Sequence, residues 1–186
     1  MKNKRSKKLI FIILGIALII TIVYLLVVQK GSTFSLDKNV DSVPGSGEIT
    51  NVDGEKSFRS TDFGFSFRVP EAFTIGEFDE GGGRVVLVNT GDGESAFQIF
   101  ISPYDEGAQS LTVERIQEDV PNLTIREPET LQMTGGQSVL TFVGEDSIFG
   151  VTREVWMVHK GNLFQIMSPV EIQDELATTL ETWELF

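Results

Sequence analysis

The 186-residue chain has no cysteine and a single histidine, His159. Without cysteine there is no disulfide, no thiolate metal site, no thiol nucleophile and no lipid-modified cysteine. One histidine cannot build a multi-histidine zinc site. Beside the expected Lys160-Gly161 turn, His159 reads as an exposed loop-edge residue rather than a general base, which would need a nucleophile and an orienting acid nearby. No G-x-S-x-G elbow or S-x-x-K pair accompanies the many serines and threonines. No catalytic, cofactor-binding or metal-ligating residue is assigned, and no cofactor is expected.

Positive charge is also scarce: 15 Lys and Arg against 27 Asp and Glu, a net charge of −12. Five of the basic residues (Lys2, Lys4, Arg5, Lys7 and Lys8) and none of the acidic ones lie in residues 1–8, so residues 9–186 hold ten basic against 27 acidic side chains, a formal −17. A chain that acidic repels nucleic acid and anionic headgroups, so no nucleic-acid partner is expected.

What the sequence has in abundance is one long apolar run. Leu9–Val28 contains no charged residue. Twenty residues at about 1.5 Å each give a helix of roughly 30 Å, the thickness of a bilayer's hydrocarbon core. It is apolar all round, it exceeds the apolar region of a signal peptide, and it ends in Val27-Val28-Gln29-Lys30 without a small-x-small cleavage pattern. The basic cluster before it keeps the N-terminus cytoplasmic. The expectation is a single-pass cell-membrane protein with a basic tail (1–8), a transmembrane helix (9–28) partnered by lipid, and everything later extracytoplasmic.

Residues 29–55 are rich in Ser, Gly, Asp and Asn, with Pro44-Gly45-Ser46-Gly47 at the middle. They read as a flexible linker spanning on the order of 30 Å. Residues 56–186 are enough for one domain whose apolar core must suffice without disulfides.

Strand signals dominate that domain. Phe63, Phe65, Phe67 and Val69 alternate with Gly64, Ser66 and Arg68, and Pro70 limits the strand. Phe73–Phe78 and Arg84–Asn89 form a hairpin across Asp79-Glu80-Gly81-Gly82-Gly83, and the turn Thr90–Glu94 leads into Ala96–Ser102. A helix is expected over Ser110–Val120, ended by Pro121. Extended segments follow at Leu123–Arg126, Thr130–Met133, Ser138–Val143, Ile148–His159 and Asn162–Met167, the last two a hairpin turned at Lys160-Gly161-Asn162. In the closing helix Ser168 is the expected cap, Pro169 the first helical residue and Glu171 the capping-box partner. Ile172, Leu176, Leu180 and Trp183 form its buried stripe, and Leu185-Phe186 a tail tucked against the sheet. The fold class is α+β, a mostly antiparallel sheet with one or two packed helices.

The segment Phe58-Arg59-Ser60-Thr61-Asp62-Phe63-Gly64-Phe65-Ser66-Phe67-Arg68-Val69-Pro70 resembles the opening of PsbP-like domains. Gly135-Gly136-Gln137-Ser138, the Lys160-Gly161-Asn162 hairpin and Leu180–Phe186 have counterparts in the same order, so the resemblance spans residues 56–186. It implies an α/β/α-type sandwich, non-enzymatic, that assembles or stabilises partner complexes. Bacterial members are commonly tethered outside the cytoplasmic membrane through a lipidated cysteine, which this chain lacks. No family binding residue carries over.

Four acidic residues in two Gly-rich turns, Asp79-Glu80 and Asp92-Glu94, invite a calcium reading, but their spacing matches no calcium loop. Gly81-Gly82-Gly83-Arg84 lacks the following helix and lysine of a phosphate loop and reads as a hairpin. Asn122-Leu123-Thr124 is a sequon by pattern only. Trp156 and Trp183 read as core. The functional expectation is a membrane-anchored, non-catalytic accessory module supporting a protein complex in the cell envelope. The alternative is an extracytoplasmic sensor of a small ligand or cation.

Overall fold

The computed structural model describes residues 47–91, 95–107, 111–133, 136–146 and 150–186. The basic tail, the Leu9–Val28 run and most of the expected linker lie outside the described residues, as do Asp92 and Glu94. Among the described residues no helix is long and apolar enough to cross a membrane.

Among the described residues eleven strands run antiparallel in two sheets. The first sheet is built from β1 (Glu48–Val52), β2 (Glu55–Ser60), β3 (Phe65–Pro70) and β11 (Glu184–Leu185), in the order β1-β2-β3-β11. The second holds β4 (Thr74–Glu80), β5 (Gly83–Asn89), β6 (Ala96–Pro103), β7 (Thr124–Gln132), β8 (Ser138–Asp146), β9 (Gly150–His159) and β10 (Asn162–Pro169), in the order β4-β5-β6-β10-β9-β8-β7. The described residues also form two short helices, α1 (Val113–Asp119) and α2 (Gln173–Glu181). The α+β class and the antiparallel pairing therefore hold, but the single expected sheet is two. Pro70 offers no N–H to extend the ladder, and the Phe73 N–H closes a turn on the Pro70 carbonyl. The chain leaves the first sheet there and starts the second.

Three two-residue turns set the registers. Asp53-Gly54, Gly81-Gly82 and Lys160-Gly161 all have positive φ at both positions, the conformation that matches strand twist in tight hairpins. The β4–β5 turn is thus shorter than the five residues expected, and Asp79 and Glu80 are strand residues opposite Arg84 and Gly83. The two extended pieces at Leu123–Arg126 and Thr130–Met133 are one strand, β7. Its register shifts between Arg126 and Glu129, where Glu127 takes a φ of 52° beside Pro128. At the other end, strand β1 lies inside the segment expected to be a linker.

The main core fills the space between the sheets. Phe58, Phe65 and Phe67 from the first sheet meet Phe164 from the second and Trp183 from beyond α2, all at most 2 % exposed. The Phe65 ring stacks on Trp183 at 5.0 Å and meets Phe164 edge-on at 5.3 Å. The opposite face of the second sheet carries a smaller core of Phe142, Trp156, Leu163 and Ile116 of α1. Phe63, expected beside Phe65 on one strand face, sits in the preceding turn and is only partly buried.

The closing helix keeps its stripe: Ile172, Leu176 and Trp183 are buried and Leu180 packs against them. Its expected capping box is absent. Ser168 is still a β10 residue paired with Arg153, and its hydroxyl donates to the Pro169 carbonyl. The helix enters instead through a 3-10 turn at Val170–Ile172 with no side-chain cap. The expected tail is strand β11, Glu184–Leu185, pairing with Ser66 and Phe65.

Candidate functional site

The β4–β5 hairpin brings three charged side chains to the inner face of the second sheet, near its edge. Cross-strand pairing sets Asp79 opposite Arg84, and Glu77 lies two residues back on the same face. Arg84 Nη1 donates to Glu77 Oε1 at 2.7 Å and its Nε donates to Asp79 Oδ1. The Arg84 and Glu77 side chains are each 9 % exposed, whereas Asp79 is 63 % exposed. Glu77 also accepts the backbone N–H of Gly47 at 2.7 Å. Burial alone would lower the Arg84 pKa. The hydrogen bonds and charges of Glu77 and Asp79 outweigh it and hold the guanidinium above its ordinary range.

This group borders a cavity of roughly 470 Å³ lined by Phe63, Asp79, Glu80, Arg84, Ile101 and Asn162, among others. Arg84 also lies 5.9 Å above the Phe63 ring. Burial raises the Glu80 carboxyl above the usual carboxylate range. Because the guanidinium is already neutralised by two carboxylates, the cavity mouth is acidic. It suits a small cation or amine better than an anion, which argues against an anion cradle at Gly81–Gly83.

The calcium reading gains little from this geometry. Asp79 is engaged by Arg84, and among the described residues no three His, Cys, Asp or Glu side chains cluster to hold a metal. His159 is not the exposed residue expected. It is half-buried on the inner face, 6.4 Å from the Phe164 ring, with Nε2 buried and without a hydrogen-bond partner. The β-strand alternation that buries Val155 and Met157 carries His159 to the same side. Both tryptophans are core, at 6 % and 2 % exposed. Asn122 is exposed in the turn before β7.

Sequence reasoning missed two buried acids. Glu77 required the short turn to become visible. Glu154, 6 % exposed, accepts from Thr152 Oγ1 at 2.8 Å and Trp156 Nε1 at 3.1 Å. Its signal was its phase, two residues before Trp156 and four before Val158 on one strand face.

No protein-family model matches this sequence, and no curated protein matches it. Among solved structures, the fold is similar to that of cyanobacterial PsbP (CyanoP) from Synechocystis sp. PCC 6803. The TM-score is 0.53 at 12 % identity, over 74 % of this chain and 95 % of that one. At this identity the likeness is one of fold. The described domain is a PsbP-like α+β fold.

Proposed function

We propose that the chain is a membrane-anchored accessory module, held extracytoplasmically at the cell membrane, which binds a protein partner and performs no catalysis. The observation that carries this reading is the joining, in one chain, of a PsbP-like domain to the uncharged run Leu9–Val28 behind a basic cluster. The described cavity agrees with it. Its one guanidinium is committed to Glu77 and Asp79, an arrangement that holds the hairpin together rather than one poised to transfer protons.

The experiment is affinity purification of the full chain from crosslinked membranes. A reproducible envelope protein is expected, and recovery of cytoplasmic proteins alone overturns the reading. The acidic cavity mouth favours a second reading, a sensor of a small cation or amine. Saturable thermal stabilisation of the full chain by calcium or a diamine, lost in Asp79→Ala, would select the sensor.

A further inference from the structure

The edges of the two sheets are protected unequally. Edge strands leave alternate N–H and C=O groups unpaired, and proteins block them with bulges, proline and charge. Strand β7, one edge of the larger sheet, carries all three: the shift at Arg126/Glu129, Pro128, and the charges of Arg126, Glu127 and Glu129. β4, the other edge, is lined by Glu77, Asp79 and Glu80. β1 has no proline, no bulge and one charge, Glu48, and its residues are all exposed. Ile49 and Val52 are each 47 % exposed.

β1 is also held ready. The Gly47 N–H is bonded to Glu77 Oε2, and a Cβ at Gly47 would meet the Phe58 ring at 2.3 Å, so the strand's entry lies flat on the core. The tight Asp53-Gly54 turn fixes its exit. An edge fixed at both ends has little ordering entropy to lose on pairing.

We propose that β1 receives an extended segment of a partner protein as an added strand, and that the segment is apolar at alternate positions with basic residues at its ends. The charge of the edge selects that occupant. Exposed Glu48 opens β1 and exposed Asp53 follows it, and Glu71 adjoins the turn, its N–H bonded to the Gly54 carbonyl. The basic residues of this sheet are engaged. Lys56 Nζ donates to the Phe73 carbonyl, Arg59 lies 3.7 Å above the Phe186 ring, and Arg68 pairs with Glu55. A second copy of this chain, at a net −12, brings like charge to the same edge. Main-chain bonding supplies the affinity, and Ile49, paired opposite Phe58, supplies the apolar contact for the one face that the segment's alternate apolar positions present.

This inference deepens the proposed function and is tested apart from it. The full chain in lipid nanodiscs is titrated with the peptide Lys-Val-Thr-Val-Thr-Val-Lys, read by fluorescence anisotropy and amide chemical shifts. Expected are saturable binding that weakens with salt, shifts centred on Glu48–Val52, and loss of binding in Thr50→Pro. A peptide methylated on alternate backbone nitrogens, which leaves the protein untouched, should bind at least about tenfold more weakly, and so should one ending in Glu. Equal binding of either control, shifts centred on Gly81–Gly83, or β1-dependent self-association would overturn the proposal. Absence of binding while the membrane purification still recovers a partner refutes the edge and leaves the accessory role standing.

Discussion

Arg84 offers the sharpest test of how the hairpin is built, because its two carboxylate partners differ so much in exposure. The perturbation is Arg84→Met, which keeps the side chain's apolar length and removes its charge. Glu77, 9 % exposed, then loses its buried counter-charge, and removing one partner of a buried ion pair costs about 3–5 kcal/mol. Asp79→Ala removes the 63 %-exposed partner of the same guanidinium, and solvent screening limits that loss to about 1 kcal/mol or less. The double variant Arg84→Met/Glu77→Met leaves no lone buried charge and recovers much of the loss. It falls short of the parent by about 1–3 kcal/mol, because the Gly47 N–H has lost its acceptor. Urea unfolding followed by tryptophan fluorescence reads all three. Arg84→Met lowers the midpoint by more than about 1 M at an unchanged slope, given typical slopes of about 1–3 kcal/mol per M. Equal losses for Arg84→Met and Asp79→Ala, or additive losses in the double variant, would refute the buried pair.

Other consequences follow from single sites. Burial raises the folded Glu80 pKa above its unfolded value, so ionised Glu80 opposes folding above the carboxylate range and ceases to do so once protonated. Glu80→Gln is therefore more stable than the parent at neutral pH, with an advantage that shrinks as pH falls through the raised pKa; calorimetry showing no advantage at neutral pH contradicts this. Gly64 has a φ of 71°, and a Cβ there would sit 2.5 Å from the Phe186 carbonyl oxygen, so Gly64→Ala should cost about 1–3 kcal/mol, measured by denaturant midpoint. Phe65→Ala, at 0 % exposure among four aromatic rings, should cost about 3–5 kcal/mol, whereas Ile49→Ala, half exposed on β1, should cost far less.

Much of the fold was legible because period-two alternation survives translation into structure. Phe65, Phe67 and Val69 face the core, and so do Leu176 of α2 and Trp183 just past its end, as their spacing demanded. What the sequence hid was decided by long-range pairing. One of the two partners of β3 is β11, far along the chain, and no local pattern shows that two sheets rather than one result. Turn length was the other hidden variable. Asp79-Glu80-Gly81-Gly82-Gly83 reads as a loop, but two glycines with positive φ suffice to turn the chain, and the strands extend to include both acids. The Glu77–Arg84–Asp79 group follows from that register, and so was out of reach until the turn was known. Ser168 shows the reverse error: a well-formed capping sequence overridden because the β9–β10 ladder continues through it.

The central claim, a PsbP-like domain held outside the cell membrane by Leu9–Val28, can be tested by using the chain's lack of cysteine. Single cysteines at Thr130, exposed on β7, and at Ser6, in the basic tail, are labelled in intact cells with a membrane-impermeant maleimide. The account predicts labelling of Thr130→Cys in intact cells and of Ser6→Cys only after lysis, both in the membrane fraction. Labelling of Ser6→Cys in intact cells, protection of Thr130→Cys, or recovery of the chain in the soluble fraction would contradict it.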